Sequence, residues 1–474
     1  MDEPSAPQLR AFAMGKALYF LSYATVGAVS PYLSVFLSNV IGLPSSKLGA
    51  IGAVTPIMAI FSTPQWGSFA DRTGKHETIM VVNHIVSVAL RSMMLAVAFA
   101  WKEQASILAP LVVALSAFFM APMFSILDDV TFQMARNGHA VDSEAGGSWA
   151  KLRLFGSLGY GVGAKVTGSL IGSFGYGVSF AVSAALAVPT AALMLAFRTN
   201  TKVLALAQAL QDGGKGDIKG KGRVGVSSSD AAAGVTEEHG AKAPLLQALQ
   251  ACTHQSFLGK AIWVSILVCG MSYGFLEVFL FPLMSQRSIR STVMGNVRLV
   301  NAVMALPFYY WAGPIINTIG VAGGILGALL AYAFRLVFHS CCDPSKAGLI
   351  IAVECLYGIT GGLMWSSAAS FAQAQAAPGT TASMMGLLNA AHFGIGMGLG
   401  SYFGGIAAHR AGSIKAFQAV GAINLLCSAP VALGLALRIR LPKMRGPDSL
   451  EVSDDMLLGK VGLWARRKLK WTPK

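Results

Sequence analysis

Charge is scarce in this chain. Of its 474 residues only 12% are Asp, Glu, Lys or Arg, and a soluble domain carries about twice that fraction. Acids are scarcer than bases, 21 against 36, which leaves a net charge of +15. Cysteine is sparse too. Six are present, two of them adjacent at Cys341 and Cys342, and the spacing offers neither a disulfide framework nor a metal site. No metal and no cofactor are expected. There is no phosphate-cradling loop: GKGDIKGKGR lacks the Gly-Lys-Ser/Thr ending and a preceding strand. That excludes a P-loop ATP-driven pump, and no hydrolytic constellation stands out, so an enzyme is not expected.

Apolar residues are what the chain has in abundance. They make up 54% of it, and its mean hydropathy is +0.58. Runs of roughly 20 apolar residues recur from end to end, each long enough to cross about 30 Å of hydrocarbon as a helix. The polar start, MDEPSAPQLR, and the length of the first run do not fit a cleavable signal. Twelve spans are predicted, near 14–38, 49–69, 78–100, 106–127, 154–174, 176–197, 256–284, 294–311, 321–338, 347–371, 382–407 and 416–437. The expected fold is an all-α integral membrane protein of twelve transmembrane helices.

Segments 1–13 and 438–474 flank the spans, and 198–255 divides them into six-span halves at 14–197 and 256–437. The divider is rich in Gly, Ser and charge and reads as a flexible linker. An even span count puts both termini on one side. That side would hold Arg10, Lys16, Arg72, Lys75, Arg136, Lys151 and Arg153, together with KGDIKGKGR and WARRKLKWTPK; the other holds fewer bases. The termini are therefore expected in the cytoplasm. The positive charge reflects that bias, not nucleic-acid binding, and the basic tail suits anionic lipid.

Two features repeat between the halves. GSFADRTG at Gly67 and GPIINTIG at Gly313 both follow a second span, and they align Gly67 with Gly313 and Gly74 with Gly320. The fifth span of each half is glycine-rich, as in FGSLGYGVGAKVTGSLIG and HFGIGMGLGSYFGG, which suits close helix approach. Duplicated, pseudo-symmetric halves follow.

GSFADRTGKHE, with Gly67, Asp71, Arg72, Gly74 and Lys75, reads as a tight turn between spans two and three. It resembles the signature loop of the major facilitator superfamily. The resemblance implies that the aspartate caps a helix and pairs with bases across the seam, so these residues would gate. VGAVSPYLSVFL, TPQWGSFADRTG, KLRLFGSLGY, PIINTIG, FRLVFHS and VECLYGIT are similar to the oligosaccharide:proton symporter, lactose-permease-like branch. That likeness implies a secondary transporter moving a small polar or amphipathic solute, sugar-like, nucleoside or aromatic acid, with a proton. It implies solute and bilayer as partners; a monomer is expected.

Arg153, Ser157 and Tyr160 share one helical face at i, i+4 and i+7. The guanidinium offers a planar fork of donors and the ring a stacking face. The resemblance places a substrate-binding arginine and a stacking aromatic at Arg153 and Tyr160. Asp128 or Asp129 is the natural acid partner of Arg153. Glu277, Arg298, Arg335 and Glu354 are ionisable residues within spans, hence functional candidates, all in the outer part of the membrane by helical rise. The resemblance gives Arg335 a proton-coupling role. The permease branch's histidine and coupling glutamate are replaced by Tyr357 and Thr360, and its other acid is missing near Asn301. Glu354, with Arg335 beside it, is the expected proton carrier, and Glu277 its rival. Arg91 and Lys165 are expected to face the cavity, and His84 and His392 to make helix contacts. A non-transporting receptor or scaffold on the same fold, or a uniporter with structural charges, would carry the same helices.

Overall fold

The computed structural model describes residues 6–137, 142–213, 244–253, 255–341, 343, 345–377, 380–440 and 453–468, and every described segment of length is helical. Helix α1 covers Ala6–Phe36 and runs on through a π turn at Leu37–Ile41; α2 is Ser45–Thr73, α3 His76–Phe99, α4 Ala105–Asn137, α5 Asp142–Phe174 and α6 Val178–Gly213. A short α7, Pro244–Thr253, precedes α8 (Phe257–Gln286), α9 (Ser291–Tyr310) and α10 (Ala312–Cys341). Helix α11 (Ala347–Gln375) contains a π turn at Gly358–Leu363, and α12 runs over 381–411 with one at Ala390–Gly396. Helices α13, Ser413–Arg440, and α14, Asp454–Lys468, complete the order.

Helices α1–α6 and α8–α13 are the twelve expected spans. Many outrun their apolar cores because a helix continues into the polar headgroup zone once it has left hydrocarbon. Within 198–255, read as a linker, the chain stays helical to Gly213 and again over Pro244–Thr253; residues 214–243 lie outside the described ones. Nine helices are long and apolar enough to span on composition alone among the described residues, and α5, α9 and α12 are not among them. Those three pack at the seam, α5 against α9 and α12 against α2. A helix facing protein instead of lipid tolerates the glycines and polar groups they carry. Apolar side chains such as Ile60, Phe61, Ile107 and Leu426 lie on the outer surface, as lipid contact requires.

The duplication is visible in packing. In the first half α5 lies against α1 through Gly159 and Gly163, where an added Cβ would meet the carbonyl oxygens of Phe20 and Ala24 at 2.0 and 2.3 Å. In the second, α12 lies against α8, and Gly400 and Gly274 make the equivalent approaches to Met271 and Met397. The loop glycines also match: Gly74 has φ +61° and Gly320 φ +77°. Each ends a helical segment in a conformation that a Cβ disfavours.

GSFADRTGKHE is less of a loop than its sequence suggests. Helix α2 continues to Thr73, and Gly74 closes it by donating its N–H to Ala70 O at 2.8 Å. Only Gly74 and Lys75 separate α2 from α3, and Asp71 lies in the last turn of α2, not at a helix N-terminus. The GPIINTIG copy is covered by the tail. Helix α14 buries Leu457 and Leu458 against α10, and Gly320 and Gly459 meet backbone to backbone. A Cβ on Gly320 would lie 2.2 Å from Leu457 O. Gly320→Val is therefore expected to cost roughly 2 kcal/mol through strain and overpacking. Limited proteolysis of the purified protein should then cut the tail faster than in wild type.

The two halves are not joined evenly. Contacts across the seam gather at the end of the bundle away from the termini, called the far end below. Asn39 Nδ2 donates to Ser285 Oγ at 2.7 Å, the Tyr32 and Phe281 rings lie 5.4 Å apart, and Lys165 Nζ donates to Asn296. Gly49 abuts Ser401 and Gly405. One apolar core runs through this end and into the second half. The other, around Tyr19, Met80, Leu127 and Phe197, belongs to the first half alone and sits toward the termini. The bundle is thus sealed at its far end and parted at the end that carries the termini.

Candidate functional site

Among the described residues, two adjoining chambers lie between the halves. One, of about 210 Å³, is lined by Tyr23, Tyr160, Tyr273, Tyr309 and Tyr357, with Ser157, Glu277, Arg298 and Asn301. The other, of about 190 Å³, is lined by Arg91 and small polar and apolar side chains of α1–α4. Tyr160, Tyr273 and Glu277 line both, so the chambers adjoin there.

At that junction the second half pairs its own charges, and a hydroxyl of the first half reaches the pair across the seam. Arg298 Nη2 lies 3.0 Å from Glu277 Oε2, and the Tyr160 hydroxyl donates to Glu277 Oε1 at 3.1 Å. The Arg298 guanidinium also sits 5.0 Å from the Phe281 ring. Some donors and acceptors here have no protein partner. Arg298 Nε and both polar atoms of the Asn301 amide are buried without one, although Asn301 is only 3% exposed. A buried amide unsatisfied on both atoms is costly. Placed on a chamber wall, it is ready for a polar ligand.

Behind the tyrosines lies a second cluster. Arg335 Nη2 donates to Glu354 Oε2 at 2.7 Å and Arg335 Nη1 to Thr360 Oγ1 at 2.7 Å. His339 Nε2 lies 2.6 Å from Glu354 Oε1. All three charged or ionisable members are buried, Glu354 completely. The local cause is the break in α11. After Glu354 the helix tightens into a turn and then widens into the π segment, which places Tyr357 and Thr360 toward α10. The Arg335 guanidinium lies 5.6 Å from the Tyr357 ring, and Tyr357 also lines the chamber that holds Asn301. At the far end a pocket of about 10 Å³ touches His339 and Arg287, space on the order of one water.

The four intramembrane charges therefore sort into two separate pairs, Glu277 with Arg298 and Glu354 with Arg335. Arg153 lies 3.7 Å from Asp128, which also accepts from the Tyr19 hydroxyl at 2.5 Å. Asp128 is thus the Arg153 partner, while Asp129 is exposed. Arg153 and both aspartates lie outside the two chamber walls, unlike Ser157 and Tyr160. Lys165 crosses the seam to Asn296 in place of facing the cavity; Arg91 does face it. His392 is buried and its Nδ1 lies 3.2 Å from Ile266 O, a helix contact as expected, whereas buried His84 leaves Nε2 unpartnered. At the signature turn, Asp71 Oδ1 meets His76 Nε2 at 3.0 Å on its own side of the seam. Gly67, Arg72 and Lys75 lie around this exposed turn.

His339 and Asn301 went unrecognised as functional groups in the sequence. A signal for His339 was present: it follows Arg335 at i+4 on one helical face. For Asn301 the signal was its place where the resemblance has an acid, but a lone amide in a span reads equally well as packing.

The MFS_1 like family matches this chain over residues 12–419. An uncharacterised transporter of Bacillus subtilis (strain 168), YwbF, is 26% identical over 161 residues, covering 34% of this chain and 37% of that protein. A maltose permease of Geobacillus stearothermophilus is 30% identical over 152 residues, covering 32% and 35%. The chain thus spans about a third of the length of these relatives. Among solved structures, the nucleoside transporter NupG superposes with TM-score 0.70 at 14% identity, over 89% of this chain and 98% of that one. A bacterial homologue of the human lysosomal transporter Spinster, inward-facing and unoccupied, gives TM-score 0.62 at 12% identity over the whole of both chains. At such identities the likeness is one of fold: twelve helices in two halves.

Proposed function

The chain belongs to the MFS_1 like family and is a membrane transporter of the major facilitator type, and from that premise we propose that it carries a small polar or amphipathic solute together with a proton. The solute sits between the halves against Tyr160, Ser157, Asn301 and the Glu277–Arg298 pair. Glu354 carries the proton, held by Arg335 and His339. The halves rock to expose the chambers alternately to each side. With the termini in the cytoplasm, this structure is the inward-open state of a monomeric carrier.

One observation supports this reading above others: a fully buried carboxylate, Glu354, is held by Arg335 and His339 beside Tyr357 of the chamber wall. A carboxylate's affinity for protons falls when an arginine approaches and rises when it withdraws into an apolar site. Rocking that shifts α10 against α11 would therefore load and release a proton.

Counterflow in proteoliposomes tests transport apart from coupling. Vesicles preloaded with an unlabelled sugar, nucleoside or aromatic acid should take up the same labelled compound transiently for at least one of the panel. Absence of counterflow throughout would favour the receptor or scaffold alternative.

The signature turn enters as a gate. Asp71 is exposed and its bond to His76 lies within one half, and exposed pairs contribute about 0–1 kcal/mol to folding. Asp71→Asn is therefore expected to leave the melting temperature within error while slowing counterflow severalfold, because it removes an acid that acts when the termini end closes. Wild-type counterflow by a mutant that reaches the bilayer would remove Asp71 from the gate.

A further inference from the structure

Arg91 is the cation the paired charges leave over. Among the residues lining the two chambers, the charged side chains are Arg91, Glu277 and Arg298. Glu277 is engaged by Arg298 and by the Tyr160 hydroxyl. The chambers are left with one uncompensated positive charge. The contact found for Arg91 is a weak one: its Nη2 points at the thioether sulfur of Met120.

Among the described residues lining this chamber, the acid that neighbouring elements supply is Glu277 of α8, already held by Arg298. Helix α4 brings Ser116 and Met120, α2 brings Thr55 and α1 brings Ser30 and Ser34 to the same chamber. The acids of α4, Asp128 and Asp129, lie about 12 Å further along that helix, and Asp128 is taken by Arg153 and Tyr19. His84, two turns back on α3, is buried and lacks a partner at Nε2. Nor does Arg91 stretch to water at the far end. It sits about 12 Å from that end of α3, whereas Met120 sits about 22 Å from that end of α4, so the guanidinium reaches inward, toward the midplane. Holding an unpaired guanidinium there is costly. The compensation has to come from what enters the chamber.

We infer that the solute is a monocarboxylate with a flat, hydrogen-bonding body, its carboxylate on Arg91. The inference rests on the transport reading above and adds the charge of the cargo to it. A carboxylate matches the guanidinium fork in a bidentate pair. The hydroxyls of Ser30, Ser34, Thr55 and Ser116 supply further donors around it. A planar body then lies between Tyr160 and Tyr273, which wall both chambers, and its far polar group reaches the unsatisfied Asn301 amide. A single negative charge brings the chambers to neutrality, and a proton taken with it makes the loaded carrier's cargo neutral overall.

The test compares an acid with its uncharged twin on the full-length purified chain at neutral pH and constant chloride. 4-Hydroxyphenylacetate and 4-hydroxyphenylacetamide differ in that one group. Thermal-shift titrations of wild type should give the acid an apparent affinity at least about tenfold above the amide. Arg91→Gln should lower the acid's affinity to about that of the amide, erasing the preference, and Arg91→Lys should keep part of it. Equal affinities in wild type, a preference that survives Arg91→Gln, or no shift with either compound would overturn the inference. Counterflow separates it from the transport reading. Exchange of neutral solutes with no Arg91-dependent acid preference leaves transport standing and removes the anion. Arg91-dependent binding of the acid without exchange of it or any panel compound does the reverse.

Discussion

Glu354→Gln is expected to abolish accumulation driven by a pH gradient, leaving the solute no more concentrated inside than outside, while counterflow continues near the wild-type rate. Glutamine keeps the size of the side chain and an acceptor for Arg335, and it cannot take or lose a proton. Glu354 is completely buried and is held at 2.7 Å by Arg335 and at 2.6 Å by His339. Breaking a buried ion pair by removing one partner costs about 3–5 kcal/mol, so the mutant's melting temperature must be read beside its flux. Loss of counterflow together with accumulation would mean a folding defect, and Glu354→Asp then serves as the second variant. It retains the acid and should retain coupling in part. Arg335→Ala should slow proton release, because a carboxylate without its arginine holds the proton more tightly, and the defect should ease as pH rises and drives the proton off. Should Glu277→Gln, and not Glu354→Gln, remove accumulation, the rival carboxylate is the carrier.

The second large effect is mechanical. Gly49 and Gly405 face each other where α2 and α12 close the far end, and a Cβ on Gly49 would stand 2.4 Å from Ser401 O and 2.7 Å from Gly405 Cα. Both obstacles are backbone, which cannot rotate away. Gly49→Leu forces the helices apart at a cost of about 1–3 kcal/mol or more. A penalty of that size on one of two states moves their ratio about tenfold or beyond. Spin-label distances across the far end should lengthen, those across the termini end should shorten, and net transport should stop. Unchanged distances would show that the far end does not open by parting α2 from α12.

Much of this was legible in the sequence, for reasons that differ from place to place. The span count was readable because hydrocarbon thickness dictates run length. The repeat was readable because Gly74 and Gly320 both need positive φ, a demand that survives even where the second copy lost Asp71's charge to Asn317. Pairing was only half legible. Helical rise put Glu277, Arg298, Arg335 and Glu354 at similar depth, but which acid meets which base depends on how each helix is rotated, and α11 changes its rotation at a π segment. The same break brings Glu354 to His339, a partner on another helix. The tail helix α14 was hidden for a different reason. Its basic residues read as a headgroup contact, while two leucines and a glycine, Leu457, Leu458 and Gly459, dock it against α10.

The claim on which the rest depends is that a proton moves with the solute. The direct measurement is uptake of labelled sugars, nucleosides and aromatic acids by proteoliposomes of the wild-type chain, with the outside either acid or at the internal pH. The account predicts that at least one compound is concentrated inside when the outside is acid, and that a protonophore collapses the excess. Protein-dependent uptake that reaches the same level with and without the gradient would contradict it and leave a uniporter.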